Sequence, residues 1–198
     1  FAEDGGGIYC EGTTPSIRHG RMAGNIAHER GGGMFCLDSS PVLDDVVFSH
    51  NRAPGPIPYH EGRGGGMYCY GGCPVLTDVL FVGNRATSTT PYPYGFGSSG
   101  GMKCNEAILT RVEFRSNSSG GGPGGLSCGS ATLTDCAFTE NSTTVGDGGG
   151  MSCYGSPILI NAVFKGNVTE ANPRGGRPFN GYGGGLLCGS GSAPTLID

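Results

Sequence analysis

The chain has 198 residues and a net charge of −4, and only 14% of its residues are charged. This balance gives no reason to expect nucleic acid as a partner. No apolar run approaches the roughly 18 residues of a membrane-spanning helix. Glycine contributes 41 residues and cysteine 9, and there is no tryptophan. So much glycine indicates low-complexity sequence unless it is periodic, and here it is periodic.

A glycine-rich hexapeptide, seen most fully as Gly-Gly-Gly-Met-Tyr-Cys at 64–69, occurs seven times with small changes. The copies begin near residues 5, 31, 64, 100, 124, 148 and 183. A Phe-x-x-Asn element follows six of them, with Met in place of Phe in the first: 22–25, 48–51, 81–84, 114–117, 138–141 and 164–167. Self-similarity of this kind predicts a repeat architecture. We therefore treat 1–198 as a single repeat array, and as an excerpt of a longer chain.

The distance between successive repeat cysteines varies because three insertions lengthen individual repeats. They occupy residues 53–63, 86–99 and 168–182, always after the Phe-x-x-Asn asparagine and before the next glycines. Insertions confined to one corner are typical of a solenoid, in which only loops can grow without disturbing the stack.

Within each repeat the apolar residues alternate, which predicts strands rather than helices. Met67 and Cys69 are expected on one face of a strand and Tyr68 on the other. Each repeat then supplies three short strands, and the fold class predicted is all-β, a right-handed parallel β-helix of about seven coils. The predicted core columns are Met34, Met67, Met102, Leu126 and Met151; Leu43, Leu76, Leu109, Leu133, Leu159 and Leu196; and Phe48, Phe81, Phe114, Phe138 and Phe164.

With its glycine-apolar and Phe-x-x-Asn motifs, the whole chain resembles the β-helix repeats of bacterial polymorphic outer-membrane proteins and related autotransporter passengers. The Met and Cys after the glycines depart from that pattern. The resemblance implies a secreted or cell-surface location and an adhesive or structural role. The same coil occurs in pectate-lyase-like enzymes, so the fold alone does not choose a function.

The seven repeat cysteines recur at the repeat period, not at the spacing of a zinc site, so we interpret them as small core side chains. Cys73 lies in a turn and is the expected reactive thiol. The asparagine column contains three glycosylation sequons, beginning at Asn117, Asn141 and Asn167. We expect instead a ladder at a corner, where asparagine tolerates left-handed backbone and its amide bonds the next coil.

Carboxylates recur at a second corner, where Asp44, Asp45 and Asp78 form a weak candidate calcium site or an acid/base pair. Local turn formation explains the same residues without a metal or catalysis. We therefore expect no catalytic residues, no metal site beyond this candidate, and no cofactor other than Ca²⁺ at that site.

Candidate binding residues lie on the inserted loops and on an outward aromatic stripe. They are Tyr59, His60, Tyr92, Tyr94, Phe96, Arg174, Arg177, Phe179 and Tyr182 on the loops, and Tyr9, Phe35 and Tyr68 on the stripe. Aromatic and arginine side chains on loops of a rigid scaffold suit contact with a sugar or a protein. The alternative is that the inserted loops are surface extensions that the fold tolerates and that bind nothing.

The second strands carry a flat, β-branched outer face that is uncharged from the third coil on. Its pairs are Val75/Thr77, Ile108/Thr110, Thr132/Thr134, Ile158/Ile160 and Thr195/Ile197. Such a face predicts lateral packing on another chain or on another part of this protein, or ice binding, unless it only reflects strand propensity.

The function expected is a non-catalytic stalk or adhesin that recognises a surface glycan or a protein through its corner loops and outer strand faces. One alternative is a carbohydrate-active enzyme or carbohydrate-binding module of the pectate-lyase-like type. Another is a filament subunit that stacks end to end through uncapped coils.

Overall fold

The structure, a computed structural model, describes residues 2–55, 62–87, 99–144, 146–170 and 182–198. Within these ranges the protein is all-β, with 25 strands and no helix. In chain order the strands are β1 (Ala2–Asp4), β2 (Ile8–Glu11), β3 (Ser16–Ala23), β4 (Ala27–Arg30), β5 (Met34–Leu37), β6 (Val42–Ser49), β7 (Arg52–Ala53), β8 (Met67–Tyr70), β9 (Val75–Thr77), β10 (Leu80–Val82), β11 (Arg85–Ala86), β12 (Met102–Lys103), β13 (Glu106–Thr110), β14 (Glu113–Arg115), β15 (Ser118–Ser119), β16 (Leu126–Cys128), β17 (Ser130–Thr134), β18 (Ala137–Thr139), β19 (Ser142–Thr143), β20 (Met151–Cys153), β21 (Ile158–Ile160), β22 (Val163–Lys165), β23 (Val168–Thr169), β24 (Leu186–Cys188) and β25 (Thr195–Ile197).

The strands form parallel sheets in which each repeat pairs with the repeat before it and the repeat after it. The first strands make a seven-stranded sheet in the order β2-β5-β8-β12-β16-β20-β24. The second and third strands make an eleven-stranded sheet whose two halves join through β6, with β3 paired beside it. Every repeat-to-repeat pairing in these sheets is parallel.

A further short strand follows the asparagine in five repeats, which the prediction of three strands per repeat did not include. These strands form the sheet β7-β11-β15-β19-β23. The backbone of each asparagine helps to position them. Its carbonyl accepts a hydrogen bond from the N–H of the first residue of the short strand in the next repeat, as when Arg85 N donates to Asn51 O at 2.9 Å.

One core runs between the seven-stranded and eleven-stranded sheets, and the predicted apolar columns supply it. Equivalent residues pair directly, as Phe81 does with Phe114 and Leu76 with Leu109, so the inserted loops do not shift the register. The phenylalanine rings stack, with 4.9 Å between the ring centroids of Phe81 and Phe114. Leu196 keeps the register but is exposed, because β25 is the last strand of its sheet among the described residues.

The glycine triplet is a steric requirement of this stacking. Gly64 has a φ of +63°, a conformation that side chains rarely adopt. A Cβ on Gly65 would lie 2.5 Å from the carbonyl oxygen of Arg85, and one on Gly66 would lie 2.9 Å from the ring of Phe81. The triplet is thus a turn packed against the neighbouring backbone.

The asparagine ladder is present, and it lies in the interior. Asn51, Asn84, Asn117 and Asn141 are fully buried, and each amide bonds its neighbours in the adjacent repeats. The expectation of left-handed backbone at the asparagine itself is wrong. The residue before it takes that conformation, as His50 does with a φ of 53°.

Candidate functional site

The candidate calcium or acid/base residues are not brought into a metal cluster. Asp78 accepts two hydrogen bonds from Arg111, at 2.6 and 2.7 Å, and Asp45 lies 2.9 Å from His19 Nδ1. Arg111 lowers the pKa of the Asp78 carboxyl below its usual value by hydrogen bonding and charge. Among the described residues no group of three acidic, histidine or cysteine side chains could hold a metal ion, and this includes Asp44.

The same corner residues have left-handed backbone in all six repeats that contain them. They are His19, Asp45, Asp78, Arg111, Asp135 and Asn161, with φ between 50° and 54°. Their side chains pair along the column, as Asn161 Nδ2 does with Asp135 at 2.9 Å. Each of the carboxylates Asp45, Asp78 and Asp135 therefore has an imidazole, guanidinium or amide partner in the neighbouring repeat, as turn formation and pairing along the column require.

The prediction of an exposed aromatic stripe is wrong for two of its three residues. Phe35 is 1% exposed and Tyr68 5%, whereas Tyr9 is exposed. The guanidinium of Arg30 lies 4.8 Å from the centroid of the Phe35 ring, and the rings of Phe35 and Tyr68 are 5.6 Å apart. Burial raises the pKa of Tyr68. The alternation of residues along the strand placed these rings on the outer side of the sheet. That side of the sheet is covered at Phe35 and Tyr68.

Most of the loop residues predicted to bind a ligand lie outside the described part of the chain. They are Tyr59, His60, Tyr92, Tyr94, Phe96, Arg174, Arg177 and Phe179. Tyr182 is described and exposed, and its backbone N–H donates to Asp147 Oδ1 at 2.7 Å. The groove described below is formed by residues outside the inserted loops, and Tyr68 is among them.

The flat face forms as predicted, on β9, β13, β17, β21 and β25. Val75, Ile108, Thr132, Ile158 and Thr195 pair in register as one column, and Thr77, Thr110, Thr134, Ile160 and Ile197 as a second. All ten side chains are exposed or partly exposed. No charge interrupts the face across these five repeats.

An open groove of about 1040 Å³ lies where the first strands turn towards the second strands. Its origin is a difference in turn length. The segment from the cysteine to the second strand spans residues 70–74 in the third repeat and 154–157 in the sixth. It is only Asn105 in the fourth and Gly129 in the fifth, because β13 begins at Glu106 and β17 begins at Ser130. The two short turns leave a depression between two longer ones.

Tyrosines stand at the two ends of this groove. Tyr70, in the third repeat, is 59% exposed, and Tyr154, in the sixth, is 61% exposed. The ring of Tyr70 meets that of Tyr68 edge to face, with centroids 6.5 Å apart. Three repeat spacings separate the two walls, or about 14 Å at the usual distance between strands.

The floor of the groove combines cysteine side chains, among them Cys73 and Cys104, with polar groups and one charge of each sign. Asn105 and Glu106 are exposed there, beside Lys103, Ser127 and Gly129. Gly129 lets the floor pack closely, since its N–H donates to the carbonyl of Asn105 at 2.9 Å and a Cβ would meet the Asn105 side chain. Among the described residues, no hydrogen-bond or ion-pair partner is present for the side chains of Asn105 and Glu106. Asp45 and Asp78, at the corner described above, each have a side-chain partner, whereas Asn105 and Glu106 have none among the described residues.

The cysteines behave as core residues with one exposed member. Cys36, Cys69, Cys128 and Cys153 are buried, and burial raises the pKa of Cys104 to about 12. Cys73, expected to be reactive, is half-buried, and burial followed by the charge of Glu106 raises its pKa. A raised pKa means less thiolate, so the structure argues against Cys73 as an activated thiol. Cys188 is the exposed cysteine.

Comparison with known proteins gives no family for this chain: no family model, no curated protein and no solved structure matches it. In the described part of the chain no helix has the length and apolar character needed to cross a membrane.

Proposed function

We propose that the repeats wind into a right-handed parallel β-helix, and that this solenoid is a non-catalytic stalk and adhesin, secreted or at the cell surface. Strand order supports the winding. Each repeat adds one strand to the seven-stranded sheet in chain order, and five successive repeats do the same in the sheet β7-β11-β15-β19-β23. The location rests on the resemblance to surface passengers.

The observation that carries the function is the flat face of β9, β13, β17, β21 and β25. It is uncharged across five repeats, while its columns hold their register without a break. Such a surface suits contact with another protein surface. A second copy is the partner we propose. The chain carries a net charge of −4, and this face lets two copies approach without opposing like charges.

The proposal excludes polysaccharide cleavage as the main activity. Asp45 and Asp78, the carboxylates that a lyase or hydrolase would use at this corner, are held by His19 and Arg111. Incubation with plant and bacterial polysaccharides should release no reducing ends or unsaturated sugars. Cleavage that is lost in Asp78→Ala would instead establish the enzyme alternative.

Sedimentation velocity over a range of protein concentrations tests the lateral contact. The protein should associate, and the double variant Thr110→Lys, Ile160→Lys should stay monomeric, because it places positive charges at the centre of the face. Val163→Lys is the matched control, since Val163 is an exposed apolar residue of the third strand outside this face. A wild-type protein that is monomeric throughout would overturn the proposal. Electron microscopy separates side-by-side pairs from the end-to-end filament alternative.

A further inference from the structure

We infer that the groove between Tyr70 and Tyr154 is a binding site for an uncharged oligosaccharide. The site lies at the turn after the first strand, apart from the inserted loops and from the centre of the flat face. The inference therefore goes beyond the proposed function and can fail independently of it.

The two tyrosine walls supply the apolar half of such a site. Their rings remain mostly exposed, and a ring held at a groove wall loses little freedom on binding because Tyr has few rotatable bonds. The electron-rich face of an aromatic ring attracts the polarised C–H groups on the flat side of a sugar. With about 14 Å between the walls, one saccharide chain can lie along the floor and meet both.

The floor supplies the polar half. Asn105 offers a carbonyl oxygen and an NH₂ group, and Glu106 offers two acceptor oxygens. Neither side chain has a hydrogen-bond or ion-pair partner among the described residues, so sugar hydroxyls displace only water from them. A smaller depression of about 200 Å³ shares Cys73 and Glu106 with the groove and ends at the edge of the flat face, where Ile108, Thr132 and Ile158 line it. A saccharide has the mixed apolar and hydroxyl surface that such a groove complements.

Two competing ligand classes fit less well. A polyanion is disfavoured because Glu106 offsets Lys103 in the groove and the whole chain is negative. A peptide that binds by adding a strand needs a free sheet edge. Here β12 is paired with β8 and β16, and β16 is also paired with β20, so these strands present no edge.

The test begins with an array of neutral and uronic-acid-containing oligosaccharides, probed with the labelled protein. The neutral saccharide that binds best is then titrated by calorimetry. Tyr70→Ala and Tyr154→Ala should each weaken binding roughly tenfold, the size expected for loss of one aromatic contact together with its buried area. Asn105→Ala and Glu106→Gln should weaken it severalfold through lost hydrogen bonds. Tyr9→Ala is the matched control, because Tyr9 is an exposed tyrosine of the same sheet outside the groove.

Thermal melting shows whether each variant is folded, and all five positions are exposed, so their folding should be unaffected. Binding by the Thr110→Lys, Ile160→Lys variant should equal that of the wild type, which separates this site from the lateral contact. The inference is overturned if no array saccharide binds, if only acidic ones bind, or if both tyrosine variants bind as tightly as Tyr9→Ala.

Discussion

The side-chain amide of Asn117 donates to Oδ1 of Asn141 at 3.0 Å and to the carbonyl of Phe81 at 2.9 Å, and so links three repeats. Its own Oδ1 accepts from the backbone N–H and the side chain of Asn84. All of these groups are buried, so none has water as an alternative partner.

Replacing Asn117 with alanine should therefore lower the free energy of unfolding by about 3 kcal/mol, because buried donors and acceptors in the repeats on both sides lose their partner. Urea denaturation followed by circular dichroism measures this. Asn105→Ala, at an exposed asparagine of the same repeat, should change stability by less than about 0.5 kcal/mol. Equal losses in the two variants would contradict the interlocking role of the ladder.

The glycines offer a second matched pair. Gly65→Ala places a methyl group 2.5 Å from the backbone of Arg85, which must move apart from it. We expect a loss of more than about 3 kcal/mol or a failure to fold. Gly24 has left-handed backbone, but a Cβ there meets nothing within 4 Å. Gly24→Ala should cost only about 1 kcal/mol, the strain of that conformation. Thermal melting of both variants decides, and similar melting temperatures would refute the steric explanation.

Buried thiols make the protein sensitive to alkali. The pKa of Cys104 is raised from 9.0 to about 12, so between these values the unfolded chain loses a proton that the folded chain keeps. The stabilisation is complete below the unfolded pKa and is lost as pH rises through the folded one. Between about pH 8 and about pH 10.5, this thiol should reduce the free energy of unfolding by roughly 2 kcal/mol.

Denaturation at a series of pH values compares the wild type with Cys104→Ala. The variant is expected to be less stable at neutral pH, because it leaves a small cavity, but its stability should fall less steeply above about pH 9. Parallel pH profiles for the two proteins would show that Cys104 does not titrate as proposed.

Thiol labelling distinguishes the cysteines in the native state. At mildly alkaline pH, Cys188 should react first with an aromatic disulfide reagent because it is exposed, and Cys73 more slowly. The buried cysteines should react only on unfolding.

Glu106→Gln removes the negative charge that helps to raise the pKa of Cys73, so the variant should label faster at this residue. Mass spectrometry of digested samples assigns each rate, and Glu113→Gln, an acidic residue that is not among the causes of the Cys73 shift, is the control.

The sequence predicted three strands in each repeat and most of the residues that form the core, but not the short strand that follows the asparagine. Leu76 and Leu109 pair as their repeat positions predict, and Phe81 stacks on Phe114. This success has a simple reason. Equivalent residues of a repeat that stacks in register must contact one another, so the periodicity of the sequence already contains the contacts.

The candidate site was not predictable in the same way. Alternation placed Phe35 and Tyr68 on the outer side of a strand, but it contains no information about Arg30 lying over that side. The prediction placed the binding residues on the long insertions. The signal for the groove is the opposite one, two consecutive repeats in which a single residue, Asn105 or Gly129, separates the repeat cysteine from the second strand.

By itself, then, the sequence determined which residues pair from repeat to repeat, because equivalent positions of repeats that stack become neighbours. Only the tertiary structure decided which outer surfaces are covered and which are open. Whether a surface is covered depends on side chains from other segments, such as Arg30 over Phe35. It also depends on how far one turn projects from the stack relative to the turn of the next repeat. Tyr70 and Tyr154 belong to the same turn in different repeats, and only stacking places them on opposite sides of one groove.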